Sequence, residues 1–148
     1  METREILSEE GALLATITLP EGTSEEEWLR KSEAIKESAS LEVQKNELLD
    51  KFDMDTKKFI LSRYPIEKQM SLQLIRGDAR ADGLTNRFSY VSQVVDWVQS
   101  VLVFHFSKNA EIAAAETVEQ LNGIELNLNQ FVVNDPMISI ETALSIID

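Results

Sequence analysis

The sequence predicts a mainly α protein with minor β: a long N-terminal helix, a helical hairpin or bundle, and short strands at 12–19 and 124–133. Residues 24–63 contain no glycine or proline and consist mostly of good helix formers. Residues 88–105 repeat apolar side chains at steps of three and four, which is typical of a packed helix. Only two short stretches alternate apolar and polar residues as strands do.

The bulk composition limits the classes of protein that the chain can belong to. Its 148 residues suit one domain, which we divide into a strand segment (1–22), a long helix that could act as a self-associating arm (23–63) and a helical body (64–148). The absence of cysteine excludes disulfides, thiolate metal sites and cysteine catalysis. No apolar run approaches the roughly 20 residues that a membrane span needs, so we expect no membrane partner.

The net charge of −12 argues against nucleic acid as a partner, because such binding rests on Lys and Arg that neutralise phosphates. Only residues 57–110 are basic, with eight bases and four acids. We expect this basic region to lie near acidic flanks of the same molecule or of a neighbour.

The N-terminal strand at 12–19 places Leu13, Ala15, Ile17 and Leu19 on one face. A helix start follows, because Thr23 and Ser24 each have a Glu three residues later, as in a capping box. Trp28, in the first turns of this polar helix, either staples the helix onto the strand or contacts a partner, and we favour the staple.

The long helix from 24 to 63 is either one helix or two with a bend near 53–56. Its first half has few apolar residues, which fits either a solvated surface helix or an arm that pairs with a copy of itself. Tyr64-Pro65 ends it, because the residue before proline avoids the helical region. A short helix at 66–76 then follows, with Ile66, Met70 and Leu74 expected to face inward, and a polar turn at 77–83.

The central helix, from about 85 to 106 and onward to about 115, carries two apolar seams instead of one. The first seam is Phe88, Val91, Val95, Val98, Leu102 and His105. The second seam is Tyr90, Val94, Trp97, Val101 and Phe104. A surface helix ordinarily has one apolar stripe, so this helix must be covered on two sides, by its own chain or by copies of it.

Large side chains on this helix, together with Trp28, are therefore the candidate packing or interface residues. They are Trp28, Phe88, Tyr90, Val94, Trp97, Val101 and Phe104.

Several short elements are expected after the central helix. Thr117 repeats the capping-box spacing and Asn122-Gly123 stops the helical turn that it begins. The strand at 124–133 ends before Asp135-Pro136. A further strand at 137–140 is possible, and Ser139 or Thr142 begins a final short helix.

No stretch of the sequence carries a catalytic, cofactor or metal motif, so the chain is not expected to be an enzyme. His105 is the only histidine and lies on an apolar seam, which favours a buried structural role. There is no Gly-x-Ser-x-Gly turn and no glycine-rich phosphate loop. One histidine without cysteine cannot form a typical zinc site.

Four segments together resemble small tail-associated proteins of bacteriophages and prophages, encoded near tail-fibre and baseplate genes. They are 63–73, 95–102, 110–121 and 134–140. The likeness lies in the order of these features and supplies no site residues. It implies a structural or assembly role in a virion tail that is assembled in the cytoplasm of the bacterial host.

The first functional hypothesis is therefore a tail-fibre or baseplate-attached structural protein that binds other tail proteins and copies of itself through helices, with trimers common in such fibres. The alternative is a tail-fibre assembly chaperone that is absent from the finished particle. A third hypothesis is a small enzyme or regulator with a site of Asp and Glu, which a deep polar pocket around His105 would favour.

Overall fold

A computed structural model describes all 148 residues and confirms the mainly α class with minor β. The elements are β1 (Glu2–Leu7), β2 (Leu13–Leu19), α1 (Glu25–Arg63), α2 (Ile66–Ala81), α3 (Thr85–Ala114), α4 (Val118–Asn122), α5 (Asn129–Val133) and α6 (Ile140–Ser145). The chain forms two compact units. Unit 1 is Met1–Leu48 with Ala115–Gly123, and unit 2 is Leu49–Ala114 with Ile124–Asp148. None of the helices is long and apolar enough to span a membrane.

An antiparallel hairpin of β1 and β2 opens unit 1. The predicted strand at 12–19 is confirmed as β2, whereas β1 was not expected. In the pairing register Thr3 lies opposite Thr18, and their hydroxyl groups are hydrogen-bonded at 2.9 Å. Gly11 adopts a φ of +86° in the connecting turn, a conformation that glycine takes without strain.

Helix α1 is one uninterrupted helix, with no break near 53–56. It begins where the capping pattern predicts, because the Ser24 hydroxyl accepts a hydrogen bond from the Glu27 backbone N–H at 3.2 Å. It ends at Arg63, before Tyr64-Pro65.

Helix α2 runs further than predicted and includes most of the residues that were assigned to a turn at 77–83. Gly77 lies inside it, at a cost of about 1 kcal/mol relative to Ala. Burial of Leu72 in the core, together with the burial of Ala79, offsets that cost. The turn to α3 comes at Gly83, which has a φ of +71°.

The hydrophobic core of unit 2 lies where α2, α3 and α6 pack together. Its buried residues are Tyr64, Leu72, Val91, Val94, Trp97, Val101, Phe131, Ile138 and Ala143. Side chains from the end of α1, including Phe59 and Ile60, pack against it.

The predicted strand at 124–133 is wrong, because residues 129–133 form α5 and residues 124–128 pair with no strand. The alternation that suggested it is real: Ile124, Leu126 and Leu128 are partly buried and the residues between them are exposed. An extended segment can alternate in this way without a partner strand. Residues 137–140 likewise form no strand.

Two of the predicted helix starts after α3 are confirmed. Thr117 caps α4 by accepting from the Gln120 backbone N–H. Ser139 caps α6 by accepting from the Thr142 backbone N–H.

Candidate functional site

The candidate residues of the second seam all lie in or against the core of unit 2. Val94, Trp97 and Val101 are buried. Tyr90 and Phe104 are half-buried and pack against the core. The second seam is therefore covered by the protomer itself and needs no copy of the chain to shield it.

Aromatic neighbours show what covers this seam. The Trp97 ring lies 5.4 Å from the ring of Tyr64 and 5.7 Å from that of Phe59, both near the end of α1. The Phe104 ring lies 5.3 Å from that of Phe131 in α5. These distances suit edge-to-face and tilted aromatic packing.

Phe88, at the start of the first seam, is half-buried beneath an arginine of α2. The Arg76 guanidinium lies 4.7 Å from the centre of its ring, and Arg76 Nε donates to the Ser92 hydroxyl at 2.9 Å. Phe88 therefore helps to join α2 to α3.

Trp28 lies in unit 1 and is only 2% exposed. The guanidinium of Arg4, on β1, stacks 4.3 Å from the centre of its ring. Arg4 also donates to the carboxylates of Glu2 and Glu25, and the hydrogen bond from Arg4 lowers the pKa of Glu25. Trp28 thus packs its helix against the hairpin, as a staple does.

His105 is 4% exposed and belongs to a polar cluster inside unit 2. Its Nδ1 lies 3.1 Å from the Thr56 hydroxyl, and its Nε2 lies 3.1 Å from Nδ2 of Asn109. Asp53 Oδ1 lies 3.5 Å from the same Nε2. The cluster brings together a hydroxyl, an imidazole and a carboxylate, which are the groups used in nucleophilic catalysis.

Two members of this cluster, Thr56 and His105, are buried, whereas the Asp53 side chain is 55% exposed. Thr56, the only hydroxyl bonded to the histidine, is 3% exposed. The cluster therefore satisfies buried polar groups between α1 and α3. No group of three or more His, Asp or Glu side chains is arranged to hold a metal ion.

A second polar cluster surrounds the carboxylate of Asp135, whose side chain is 4% exposed. Tyr64 donates its hydroxyl to Oδ1 at 2.5 Å, and Arg63 Nε donates to Oδ2 at 2.7 Å. The backbone N–H of Met137 donates to Oδ1 at 2.9 Å, and that of Ile138 donates to the Tyr64 hydroxyl at 3.2 Å. The end of α1 is thereby joined to the segment between α5 and α6.

The pKa values of this cluster follow from its contacts. Burial would raise the pKa of Asp135, but the hydrogen bonds from Tyr64, Met137 and Arg63 together lower it. Burial, reinforced by the hydrogen bond to Asp135, raises the pKa of Tyr64 to about 12. Both shifts favour a charged Asp135 beside a neutral Tyr64.

A cavity of about 120 Å³ lies between α2 and α3. Its walls are apolar and comprise Leu72, Val91, Val94, Val95 and Val98. Its polar residues are three glutamines and Arg76, without a carboxylate or histidine. Small-molecule sites usually occupy about 300–1,000 Å³, so this space is small for a metabolite.

The outward side of α2 carries an exposed apolar row, which we name the α2 outer row: Ile66, Met70 and Leu74. These side chains are 60%, 63% and 70% exposed. The prediction that they face inward is wrong. The buried face of α2 instead carries Leu72 and Ala79, which are seven residues apart and therefore lie on the same side of the helix.

Sequence reasoning therefore located the core and missed the exposed surface. The signal was present, because α2 has apolar residues on two sides, just as α3 has. Comparisons with protein families, with curated proteins and with solved structures found no match to this chain.

Proposed function

We propose that the protein is a structural component of a phage-like tail that binds neighbouring tail proteins through a helix surface. The α2 outer row is the observation on which the proposal rests. Ile66, Met70 and Leu74 succeed one another at intervals of four residues, so they form one continuous ridge along the helix. Helices that lie in a partner's groove use apolar anchors at such spacing.

The core of unit 2 does not need the three side chains of the α2 outer row. Leu72 and Ala79 are already the buried side chains of α2, at 2% and 1% exposure. Three large apolar side chains at 60% exposure or more leave a contiguous apolar patch on the outside of unit 2. Such a patch is a mark of an interaction surface.

The polar clusters support association over catalysis. The His105 and Asp135 side chains are buried and hydrogen-bonded to neighbouring side chains. A tail location is supported by the resemblance of four segments to tail-associated proteins, and the first of these segments, 63–73, carries Ile66 and Met70.

A double variant, Met70→Gln with Leu74→Gln, tests the proposal. Both side chains are exposed, so we expect an unchanged melting temperature. Tail-fibre and baseplate proteins that are co-expressed with the chain should co-purify with the wild type and be lost with the variant. Glu67→Gln, at another exposed position of α2, is the control that should retain them. Equal recovery with the double variant would contradict a role for the α2 outer row.

Mass spectrometry of purified particles then decides between a resident component and a helper. A structural protein is detected in the finished tail at a fixed ratio to its neighbours. If this chain is absent from finished particles but binds free fibre protein, it would instead be the assembly chaperone.

A further inference from the structure

Strand β2 has one edge without a partner strand. The sheet contains only β1 and β2, so the side of β2 that faces away from β1 is a free edge. No hydrogen bond joins the backbone of residues 13–19 to any group beyond β1. A row of unpaired N–H and C=O groups is a template for another strand.

The two edges of this hairpin differ in their protection. β1 carries Glu2, Arg4 and Glu5, and charges on an edge strand oppose pairing with other chains. β2 has the sequence Leu-Leu-Ala-Thr-Ile-Thr-Leu, with no charge, no proline and no glycine. Natural proteins seldom leave such a strand open, so the edge of β2 is suited to being paired.

The sequence of β2 is complementary to itself. In an antiparallel pair centred on Thr16, Leu13 lies opposite Leu19 and Ala15 lies opposite Ile17. On the other face Thr16 meets its own copy. On the first face apolar residues therefore meet apolar residues, whereas on the other face Leu14 lies opposite Thr18. No charges face each other along the pair.

We propose that β2 pairs antiparallel with β2 of a second copy of this chain, centred on Thr16, to form a continuous four-stranded sheet. Two-stranded hairpins are marginal by themselves, whereas sheets of three or more strands with an apolar face are stable. The pairing is isologous, so it closes after two copies and does not propagate into a fibre.

Space and charge beside the strand suit this occupant. An open groove of about 610 Å³ lies between β2 and α1, lined by Thr18 and Leu19 of the strand and by Arg30, Lys31 and Ala34 of the helix. Antiparallel pairing places Leu13 of the second copy beside Leu19. The turn that precedes that strand, with acidic residues 9 and 10, then extends past Leu19 toward the end of the groove that holds Lys31. The neighbouring Arg30 already pairs with Glu27 at 2.6 Å.

This interface lies in unit 1 and does not depend on the α2 outer row, which lies in unit 2. The proposals for the two surfaces can therefore be contradicted separately. A chain that binds tail proteins but remains monomeric would contradict the β2 pairing alone.

Cysteine cross-linking tests the register, because the chain contains no cysteine of its own. Residues directly opposite in an antiparallel pair have Cβ atoms about 4.5–5.5 Å apart, so Thr16→Cys should give a covalent dimer on mild oxidation. Thr18→Cys is the control, on the same exposed face of the same strand. Its copies would be offset by four residues in this register, which is about 14 Å along the strand at about 3.4 Å per residue, and should not cross-link. Equal cross-linking at both positions, or none at Thr16→Cys, would overturn the proposal.

Light scattering on a sizing column gives an independent measurement. The wild type should have twice the 16.7 kDa mass of one chain at micromolar concentration. Thr16→Lys sets two cations against each other at the centre of the pair and should halve that mass, whereas Thr16→Val should retain it. Circular dichroism checks that each variant is folded. A dimer that survives Thr16→Lys but is lost with Met70→Gln and Leu74→Gln would assign self-association to α2 and refute the strand pairing.

Discussion

Trp97 donates its indole N–H to the backbone carbonyl of Phe131 at 2.8 Å, so the middle of α3 is joined directly to α5. That carbonyl belongs to a helix of five residues, in which the last carbonyls have no partner within the helix. The indole therefore supplies both apolar packing and the hydrogen bond that lets α5 be buried at this point.

Replacing Trp97 with Ala should lower the free energy of unfolding by about 3–5 kcal/mol, because the ring is 4% exposed and its removal leaves a cavity. Chemical denaturation measures this loss. Trp97→Phe retains a ring but removes the hydrogen-bond donor, so its free energy of unfolding should lie between those of the wild type and Trp97→Ala. An unchanged stability with loss of assembly would instead mean that the ring serves an interface.

Tyr64→Phe should destabilise unit 2 by about 1–3 kcal/mol, because it removes the donor to the buried carboxylate of Asp135 and the acceptor for the Ile138 N–H. Tyr90→Phe is the matched control. Its hydroxyl accepts one bond, from the Ser139 N–H, so the expected loss is smaller. Urea titration measures the free energy of unfolding of both variants. A larger loss of stability for Tyr90→Phe than for Tyr64→Phe would contradict this prediction.

The stability of the protein should fall at both ends of the pH scale because of this cluster. The lowered pKa of Asp135 adds stability that is present above its unfolded pKa of about 4 and is lost as pH falls through the folded value. The raised pKa of Tyr64 adds stability that is present below about 10 and is lost as pH rises toward about 12.

The Asp135→Asn variant isolates the acidic limb. The difference in unfolding free energy between wild type and variant should be constant from about pH 5 to 9 and should shrink below about pH 4. Denaturation at several pH values measures it. A difference that stays the same in acid would show that the carboxylate does not gain stability from its partners.

Thr56→Val should destabilise unit 2 by about 1–3 kcal/mol, because it leaves Nδ1 of the buried His105 without its partner while keeping the side-chain volume. Thr56→Ser retains the hydroxyl and should lose less. Equal melting temperatures for Thr56→Val and the wild type would show that the histidine is satisfied in another way.

The sequence predicted the packing of α3 because its two seams are local and periodic. Every residue of both seams is buried or half-buried, from Phe88 to His105. The periodicity of apolar residues indicates how many sides of a helix are covered, but it does not identify the residues that cover them. The covering groups, such as Phe59 and Phe131, are distant in sequence and could not be assigned without the structure.

Helix α2 shows the limit of the same reasoning. Ile66, Met70 and Leu74 are large apolar side chains that follow one another along one side of α2. The hydrophobic pattern of the sequence therefore predicts that this side faces the core. The buried side of α2 instead carries Leu72 and Ala79, and the core contacts come from Leu72 and Ile75. When a helix has apolar residues on two sides, tertiary pairing decides which side is buried.

Strands were predicted less well, because a strand depends on a partner that local sequence does not reveal. β1 carries three charged residues and gave no apolar alternation, yet it pairs with β2. Residues 124–128 alternate clearly and pair with nothing. Neither the free edge of β2 nor the exposure of the α2 outer row could be recognised before the elements were placed.

The two tryptophans of the chain are shared evenly, since Trp28 is buried in unit 1 and Trp97 is buried in unit 2. Each unit therefore contains its own intrinsic fluorophore. In a Trp28→Phe protein the emission reports on unit 2 alone, and in a Trp97→Phe protein it reports on unit 1 alone. The melting of either half can thus be followed spectroscopically without attaching a dye.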